Sequence, residues 1–449
     1  MSGNDVRLHC VLVSVLLSFL LLGLVSNAAG GPVFLLLSIV LPALFIAGGV
    51  SPLPSRVYLV SFLLFLAFVF FMSIRIRAMV NPKLCFLQSQ IVHIEGRVVY
   101  DSSMTSNGNH MMKIMLSGCS SVLGDHGSAS GLVSVLGDQS EIISSGTLVR
   151  LEGKFYDSLF IYERIQVVGR GRLNAVREYL IPRLEMRLAS GDEASSLSTM
   201  LLFGRLDFGE SHIRDLALGC GCSHILALSG MHLGIIASMC RRVFGDGWIG
   251  KAASFFLVAL FVFIAGPRPS LVRAAISFAL GLIGIERRAF PVLVIQMILF
   301  PVSMVEVGCC YGYVAVFAIA YLYPFIEAAL YQFLGRPVRL FCATISVLVL
   351  SAPVQMVLNG SWHPAAVLAS PLAASLAAAS MAVGYLLLIF GQVPILMKAN
   401  SLIFMAMEKL FVVFGAFPSF GWFGYLVFLV VLSIPFGLLA LSRNQLAKR

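Results

Sequence analysis

Four long stretches of the chain carry no Asp, Glu, Lys or Arg: residues 8–55, 216–240, 340–397 and 410–442. A helix that crosses a bilayer needs roughly 20 consecutive apolar residues, so each stretch holds one to three spans. The pattern predicts three spans first, at 8–25, 32–50 and 57–73. Further spans follow at 223–240, 252–266, 271–285, 289–305, 311–330, 340–358, 364–390, 394–414 and 422–441, for a total of twelve. The first could be mistaken for a cleaved signal peptide, since Arg7 precedes it and Ser26-Asn27-Ala28 follows. A second apolar run begins four residues later, so the expectation is an uncleaved anchor.

Residues 81–170 break this pattern. They hold 15 of the 52 charged residues and no apolar run long enough to span. Short β-branched segments at 91–100, 111–116, 131–136, 147–156 and 158–168 are separated by Gly, Ser, Asn and Asp clusters, which is the pattern of strands and turns. Five strands in about 80 residues suit a small barrel of the OB type; a five-stranded sandwich fits the pattern equally. After it, Leu173, Val176, Leu180, Leu184 and Leu188 recur at helical spacing among Arg172, Arg177, Arg183 and Arg187. This is a basic amphipathic helix, read as interfacial or as a linker packed on the β domain. The expected fold is therefore an α-helical polytopic membrane protein with one extracytoplasmic OB-like β insert. Its parts are a transmembrane block at 1–80, the β domain at 81–170, the amphipathic helix at 171–200 and a second transmembrane domain at 201–449.

Composition agrees. Hydrophobic residues make up 59% and charged residues 12%, and mean hydropathy is +0.94. Soluble domains carry about 25% charged residues, so a water-soluble enzyme is excluded. The net charge of +10 is explained first by topology, because Lys and Arg gather on cytoplasmic loops. With the N-terminus inside, the inner loops carry Arg7, Arg56, Arg241-Arg242 with Lys251, Arg287-Arg288, Arg336 with Arg339, Lys398, Arg443, Lys448 and Arg449. The β insert then lies outside. Arg75, Arg77 and Lys83 also fall outside, against the rule, but long domains translocate largely regardless of charge. The nine cysteines lie mostly in apolar runs, such as Cys10, Cys240 and Cys342, and Cys309-Cys310 are adjacent; no disulfide framework is expected.

Polar groups inside membrane helices are costly and point to function. The densest set is Gly221-Cys222-Ser223-His224 through Ser229-Gly230-Met231-His232-Leu233-Gly234. Hydroxyls bonding back to their own helix and histidines bonding across helices would account for each residue singly; together they suggest a polar path. Cys220, Cys222, His224 and His232 could ligate a metal, but Cys-x-Cys-x-His is not a usual zinc spacing. Ser229 with a histidine such as His363 could form an intramembrane protease, but Ser229 and His232 share one helix, which does not by itself give nucleophile–base geometry. A charge inside an apolar helix, Arg273, normally faces a water-filled cavity or a partner.

The segment from Gly219 to Leu233 closely resembles the signature helix of the ComEC family of bacterial competence channels, Gly-x-Ser-His-(apolar)₂-Ala-(apolar)-Ser-Gly-(apolar)-His. Gly266-Pro267-Arg268-Pro269-Ser270-Leu271-Val272-Arg273-Ala274 resembles the family's Ser-x-x-Arg-Ala element, and Leu201-Leu202-Phe203-Gly204 its leucine-rich lead-in. The insert resembles its extracytoplasmic OB-like domain, including Glu95-Gly96-Arg97-Val98 and Val149-Arg150-Leu151-Glu152-Gly153. After the lead-in glycine stands Arg205 rather than the family's usual acid, with Asp207 two residues on. Many members end in a metallo-β-lactamase-like nuclease domain with a His-x-His-x-Asp-His motif; only His363 follows His232 here, so that domain is expected to be lacking.

The resemblance implies passage of single-stranded DNA through the bacterial inner membrane during natural transformation. His224, Ser229, Gly230, His232, Ser270 and Arg273 are the expected translocation path. Partners would be single-stranded DNA, membrane lipid and other competence proteins, including a separate nuclease and a cytoplasmic DNA motor. No cofactor, metal or catalysis is expected. Exposed aromatics of the insert (Tyr100, Phe155, Tyr156, Phe160, Tyr162) could stack bases, although its seven basic and eight acidic groups make a poor phosphate-tracking surface. The rival reading is a small-solute or lipid transporter.

Overall fold

The computed structural model describes residues 68, 71–72, 74–105, 108–138, 142–188, 192–204, 211–226, 230–285 and 288–446. The expected spans 8–25 and 32–50, most of 57–73, and Ser229 lie outside these residues.

The insert is all β. Its strands are β1 (Lys83–Leu84), β2 (Ile91–Val98), β3 (Ser103–Met104), β4 (His110–Ser121), β5 (His126–Ser130), β6 (Leu132–Gly137), β7 (Leu148–Tyr156) and β8 (Leu159–Gly169). Strands β2, β4, β6, β8 and β7 pair in a ring. Strand β2 pairs with β4 and β7, β4 with β6, and β7 with β8, all antiparallel, while β6 and β8 close the ring in parallel. Alternate residues such as Met112, Ile114 and Leu116 of β4, Val133 and Val135 of β6, and Val149 and Leu151 of β7 point inward and are buried. That period of two is what a one-sided strand requires. Phe160 and Tyr162 follow the same alternation on β8. They were expected at the surface but are buried in this core, which leaves Tyr156 as the openly exposed member of the aromatic set.

Closure needs sharp bends, and two glycines supply them. A Cβ at Gly96 would collide with the Met115 carbonyl oxygen, and one at Gly153 with that of Ile161. Both sit at register shifts, where a bulge kinks the strand. All five expected strands are present. The two-residue strands β1 and β3 and the strand β5 were not expected: the cluster at 124–130 has the composition of a turn, yet Ser128, Gly127 and His126 pair with β4. Small residues there give no clear alternation; the backbone pairing is joined by a hydrogen bond between Ser120 Oγ and His126 Nδ1 (2.7 Å) and by burial of Ala129.

The rest is helical: α1 (Arg172–Leu188), α2 (Glu193–Phe203), α3 (Ser211–Gly219), α4 (Ser223–Leu226), α5 (Gly230–Phe244), α6 (Trp248–Ala265), α7 (Pro269–Leu282), α8 (Ala289–Leu299), α9 (Val307–Phe317), α10 (Tyr323–Leu334), α11 (Arg339–Asn359), α12 (Ala366–Phe390), α13 (Pro394–Gly415) and α14 (Trp422–Leu446). Helices α9 and α10 are joined by a π-turn at Ala318–Leu322. Four described segments are long and apolar enough to cross a membrane: Trp248–Ala265, Val307–Phe333, Arg336–Asn359 and Ala366–Phe390. Pro269–Leu282, Ala289–Leu299 and Trp422–Pro435 are shorter apolar helices.

Within the expected span 223–240, α4 and α5 are helical, and 227–229 lie outside the described residues. One expected span takes another form. Residues 289–305 end as helix at Leu299 and continue as a 3-10 turn at Pro301–Val305, because Pro301 has no N–H to extend the helix.

Helix α1 is built into the bundle. Arg177, Ile181 and Leu188 are buried. At one end Arg177 Nε donates to the Ile264 carbonyl of α6 (2.7 Å). At the other, Arg187 Nη1 donates to the Leu388 carbonyl of α12 (2.8 Å). Arg177 and Arg187 are about 15 Å apart along the helix at the usual rise, and α1 bridges these two points.

Candidate functional site

The sequence elements singled out above meet at the α6–α7 turn. Gly266 adopts φ +88°, which a residue with a Cβ rarely does, and Pro269 stands in the first turn of α7, where a missing N–H costs nothing. Gly204 ends α2 in the left-handed conformation (φ +68°). The guanidinium of Arg268 reaches across and donates through Nη2 to the Gly204 carbonyl. The leucine-rich lead-in and the Gly-Pro-Arg-Pro element, 64 residues apart, are thereby joined.

One turn into α7, Arg273 crosses to α9. Its Nη1 donates to the Gly312 carbonyl, and its guanidinium carbon lies 5.8 Å from the Tyr313 ring centroid. Glycine at 312 makes this possible, since a Cβ there would lie 2.7 Å from Nη1. Among the described residues no carboxylate forms an ion pair with Arg273. The charge is held by a carbonyl dipole and an aromatic face, both neutral.

Beside it lies a buried polar network. Tyr313 Oη donates to Gln296 Oε1 (2.8 Å), and Gln296 Nε2 donates to Ser303 Oγ (2.9 Å) and to the Pro269 carbonyl (3.2 Å). Gln296 and Tyr313 are both fully buried. The network ties α7, α8, the 3-10 turn and α9 around Arg273. Sequence reasoning missed it, because its one mark there is a single Gln in the apolar run 289–305.

The expected path residues divide. Gly230 opens α5 and faces α7: a Cβ there would make ordinary contact, 3.5 Å, with Ala274 Cβ, next to Arg273. Ser270 is half-buried on the first turn of α7. His232 is fully buried but turns toward α6, its ring stacked on Phe261 at 6.3 Å. His224 is exposed on α4. So Gly230, Ser270 and Arg273 gather on or against α7, whereas His224 and His232 point elsewhere. His363 lies beside the α3–α4 turn, where a Cβ on Gly221 would meet its Cβ at 2.9 Å. Among the described residues, no three of His, Cys, Asp and Glu converge as metal ligands.

The β insert docks onto the same end of the helices. Asp101, just past β2, accepts from Arg177 Nη1 at 2.7 Å and from Nη2, and from the Ser145 backbone N–H at 2.9 Å. Both side chains are nearly closed to solvent, 3% exposed for Arg177 and 4% for Asp101. Burial alone would raise the Asp101 pKa, but the hydrogen bond and charge of Arg177 outweigh it and hold the carboxyl below its ordinary value. At the other edge of the insert, Lys113 Nζ pairs with Glu306, just before α9, at 2.7 Å.

Long apolar helices and a polar, arginine-bearing cluster among them define a helical membrane protein. Residues 201–444, a little over half of the 449, match the family model described as Competence protein, and the chain belongs to that family. No curated protein and no solved structure matches the chain.

Proposed function

We propose that this chain passes single-stranded DNA across the bacterial inner membrane during natural transformation. Membership of the competence family fits a role in DNA uptake. The observation that carries the finer reading is Arg273, a cation seated between helices on neutral partners. An intramembrane charge without a counter-ion is costly, and a passing phosphate offsets that cost only while it is there, as conduction requires.

The docking geometry supports an outside insert. The β domain, through Asp101 on Arg177 and through Lys113, sits at the ends of α6 and α9 marked by Ile264 and Glu306. Arg241, Arg242 and Lys251 lie at the opposite ends of α5 and α6, and Arg288 lies beyond the far end of α7. If those basic clusters face the cytoplasm, the insert is extracytoplasmic. Its ring of pairings, with β6 and β8 parallel, favours the OB type among small barrels. On this reading the chain is a multi-pass channel that performs no hydrolysis, and a separate nuclease and a cytoplasmic motor supply degradation and force.

The test is uptake of labelled single strands by cells with and without this chain, complemented by wild type or Arg273→Ala at matched membrane abundance. Uptake lost in the deletion and not restored by Arg273→Ala supports the channel. Unchanged uptake in the deletion sinks it and favours the small-solute or lipid transporter.

A further inference from the structure

The ends of α7 and α9 that bear Arg273 and Tyr313 are flanked by two turns, and the β insert is fastened to both. At the α6–α7 turn the fastening is Arg177. Its fork grips Asp101 of the insert, and its third N–H takes the Ile264 carbonyl of α6. One guanidinium thus joins the insert, α1 and the membrane helices. Gly266 leaves the room: a Cβ there would fall 2.7 Å from Arg177 Nη2 and 3.3 Å from Asp101 Oδ2. Asn174, one turn earlier on α1, donates to the Ser145 carbonyl at 2.6 Å, so α1 holds the insert through two side chains. At the second turn the fastening is Lys113 with Glu306.

We infer that the β insert is a fixed collar over the Arg273-bearing helix pair, and that Arg177 is the positioning residue that sets its alignment. This rests on the DNA-passage reading for what is aligned, but the collar itself is a statement of geometry. A domain that swings during each passage would have to break the bidentate Arg177–Asp101 pair and the Asn174–Ser145 hydrogen bond and rehydrate both charges every time. Two fastenings on separate turns leave rotation only about the line that joins them, and the Asn174–Ser145 hydrogen bond is a third contact that opposes it. A strand held by the insert therefore meets Arg273 at a constant distance and angle, and alignment of that kind governs transfer steeply.

Lysine keeps the charge at position 177 but cannot grip Asp101 with a fork and Ile264 with a third N–H. Arg177→Lys should therefore lower single-strand uptake about tenfold at unchanged membrane abundance, while uptake keeps its dependence on Arg273. The decisive experiment locks the collar. Lys113→Cys with Glu306→Cys, in a Cys85→Ser background because Cys85 is the exposed thiol among the described residues, is bridged in cells by a short bis-methanethiosulfonate reagent. The collar predicts a high yield of the bridge and uptake unchanged by it. A low yield, or uptake abolished by bridging and restored by reductant, overturns the proposal, since the insert then moves. So does full activity in Arg177→Lys. If instead the deletion strain takes up DNA normally, the DNA reading fails, and the bridging yield still decides the collar.

Discussion

Two arginines, one at the junction with the insert and one inside the helix bundle, solve the same local problem differently. Each guanidinium lies where a glycine has left space, Gly266 for Arg177 and Gly312 for Arg273, and each donates to a backbone carbonyl. Arg177 adds a carboxylate and becomes a closed, neutral unit nearly sealed from solvent. Arg273 adds an aromatic face, and no carboxylate among the described residues pairs with it. The shared glycine–carbonyl seat shows how a bundle poor in polar side chains satisfies arginine at all. The difference separates roles, because a compensated pair stabilises one arrangement while an uncompensated cation remains able to attract an anion.

The largest effect should come from opening the closed unit. Arg177→Ala leaves Asp101 buried and charged, and a loss of about 3–5 kcal/mol is expected, read as a fall in thermal midpoint and membrane abundance. Adding Asp101→Leu to it should recover much of the loss, because the double variant buries no charge. If the single variant is as stable as wild type, the two arginines are not different in kind.

Arg273→Ala should cost less stability, about 1 kcal/mol for the lost hydrogen bond, because the Gly312 carbonyl stays inside α9, yet reduce uptake strongly. Arg273→Lys should keep part of the activity, since charge survives without the planar fork. Gly312→Ala sharpens the point: the new Cβ displaces the guanidinium, so uptake falls although every charge is present. A Gly312→Ala variant with normal uptake would show that the seat itself does not matter. Gly230 tests the neighbouring contact. Alanine there meets Ala274 at an ordinary distance and should be tolerated, whereas Gly230→Leu presses on α7 and should block uptake; Ser229→Ala should be mild. A protease predicts the opposite order, with Ser229→Ala fatal.

These contrasts also show what could be read in advance. Five of the eight β strands were legible because period-two burial and β-branched residues mark them, and the helices from α6 to α14 because their apolar runs are long. Arg273 stood out as a charge in an apolar run. What was hidden depends on pairs far apart in the chain. Arg177 is, by pattern, one of four arginines on an amphipathic face, since its partner Asp101 lies 76 residues earlier in another domain. Gln296 is a lone polar residue whose importance comes from Pro269, Ser303 and Tyr313. Gly312 resembles any glycine in a membrane helix until the Arg273 side chain fills its place.

The smallest expected effect separates the Asp101 carboxylate from a histidine of the same β domain. His110, at the start of β4, is 1% exposed, and neither ring nitrogen has a hydrogen-bond partner among the described residues. Burial lowers its pKa, and the negative charge of Asp138 only partly opposes this. Gly137, its partner on β6, carries the Tyr162 ring against it, and burial pushes that phenol up to about 12, so it stays neutral and supplies no counter-charge. A histidine whose folded pKa is below the unfolded value of about 6.5 binds a proton more readily when unfolded. Stability is then full above about pH 6.5 and declines as pH falls from there toward the lower folded value. Asp101 behaves differently: its folded pKa is also depressed, but its contribution persists until pH drops below the unfolded carboxylate value of about 3.9. Between about pH 7 and about pH 5, His110 is therefore expected to dominate the difference between these two groups, at roughly 1.4 kcal/mol for each tenfold weakening of its proton affinity on folding. Unfolding midpoints of the purified chain in detergent across that interval, for wild type and His110→Phe, measure it. The variant should flatten the slope; an unchanged slope assigns it to other groups.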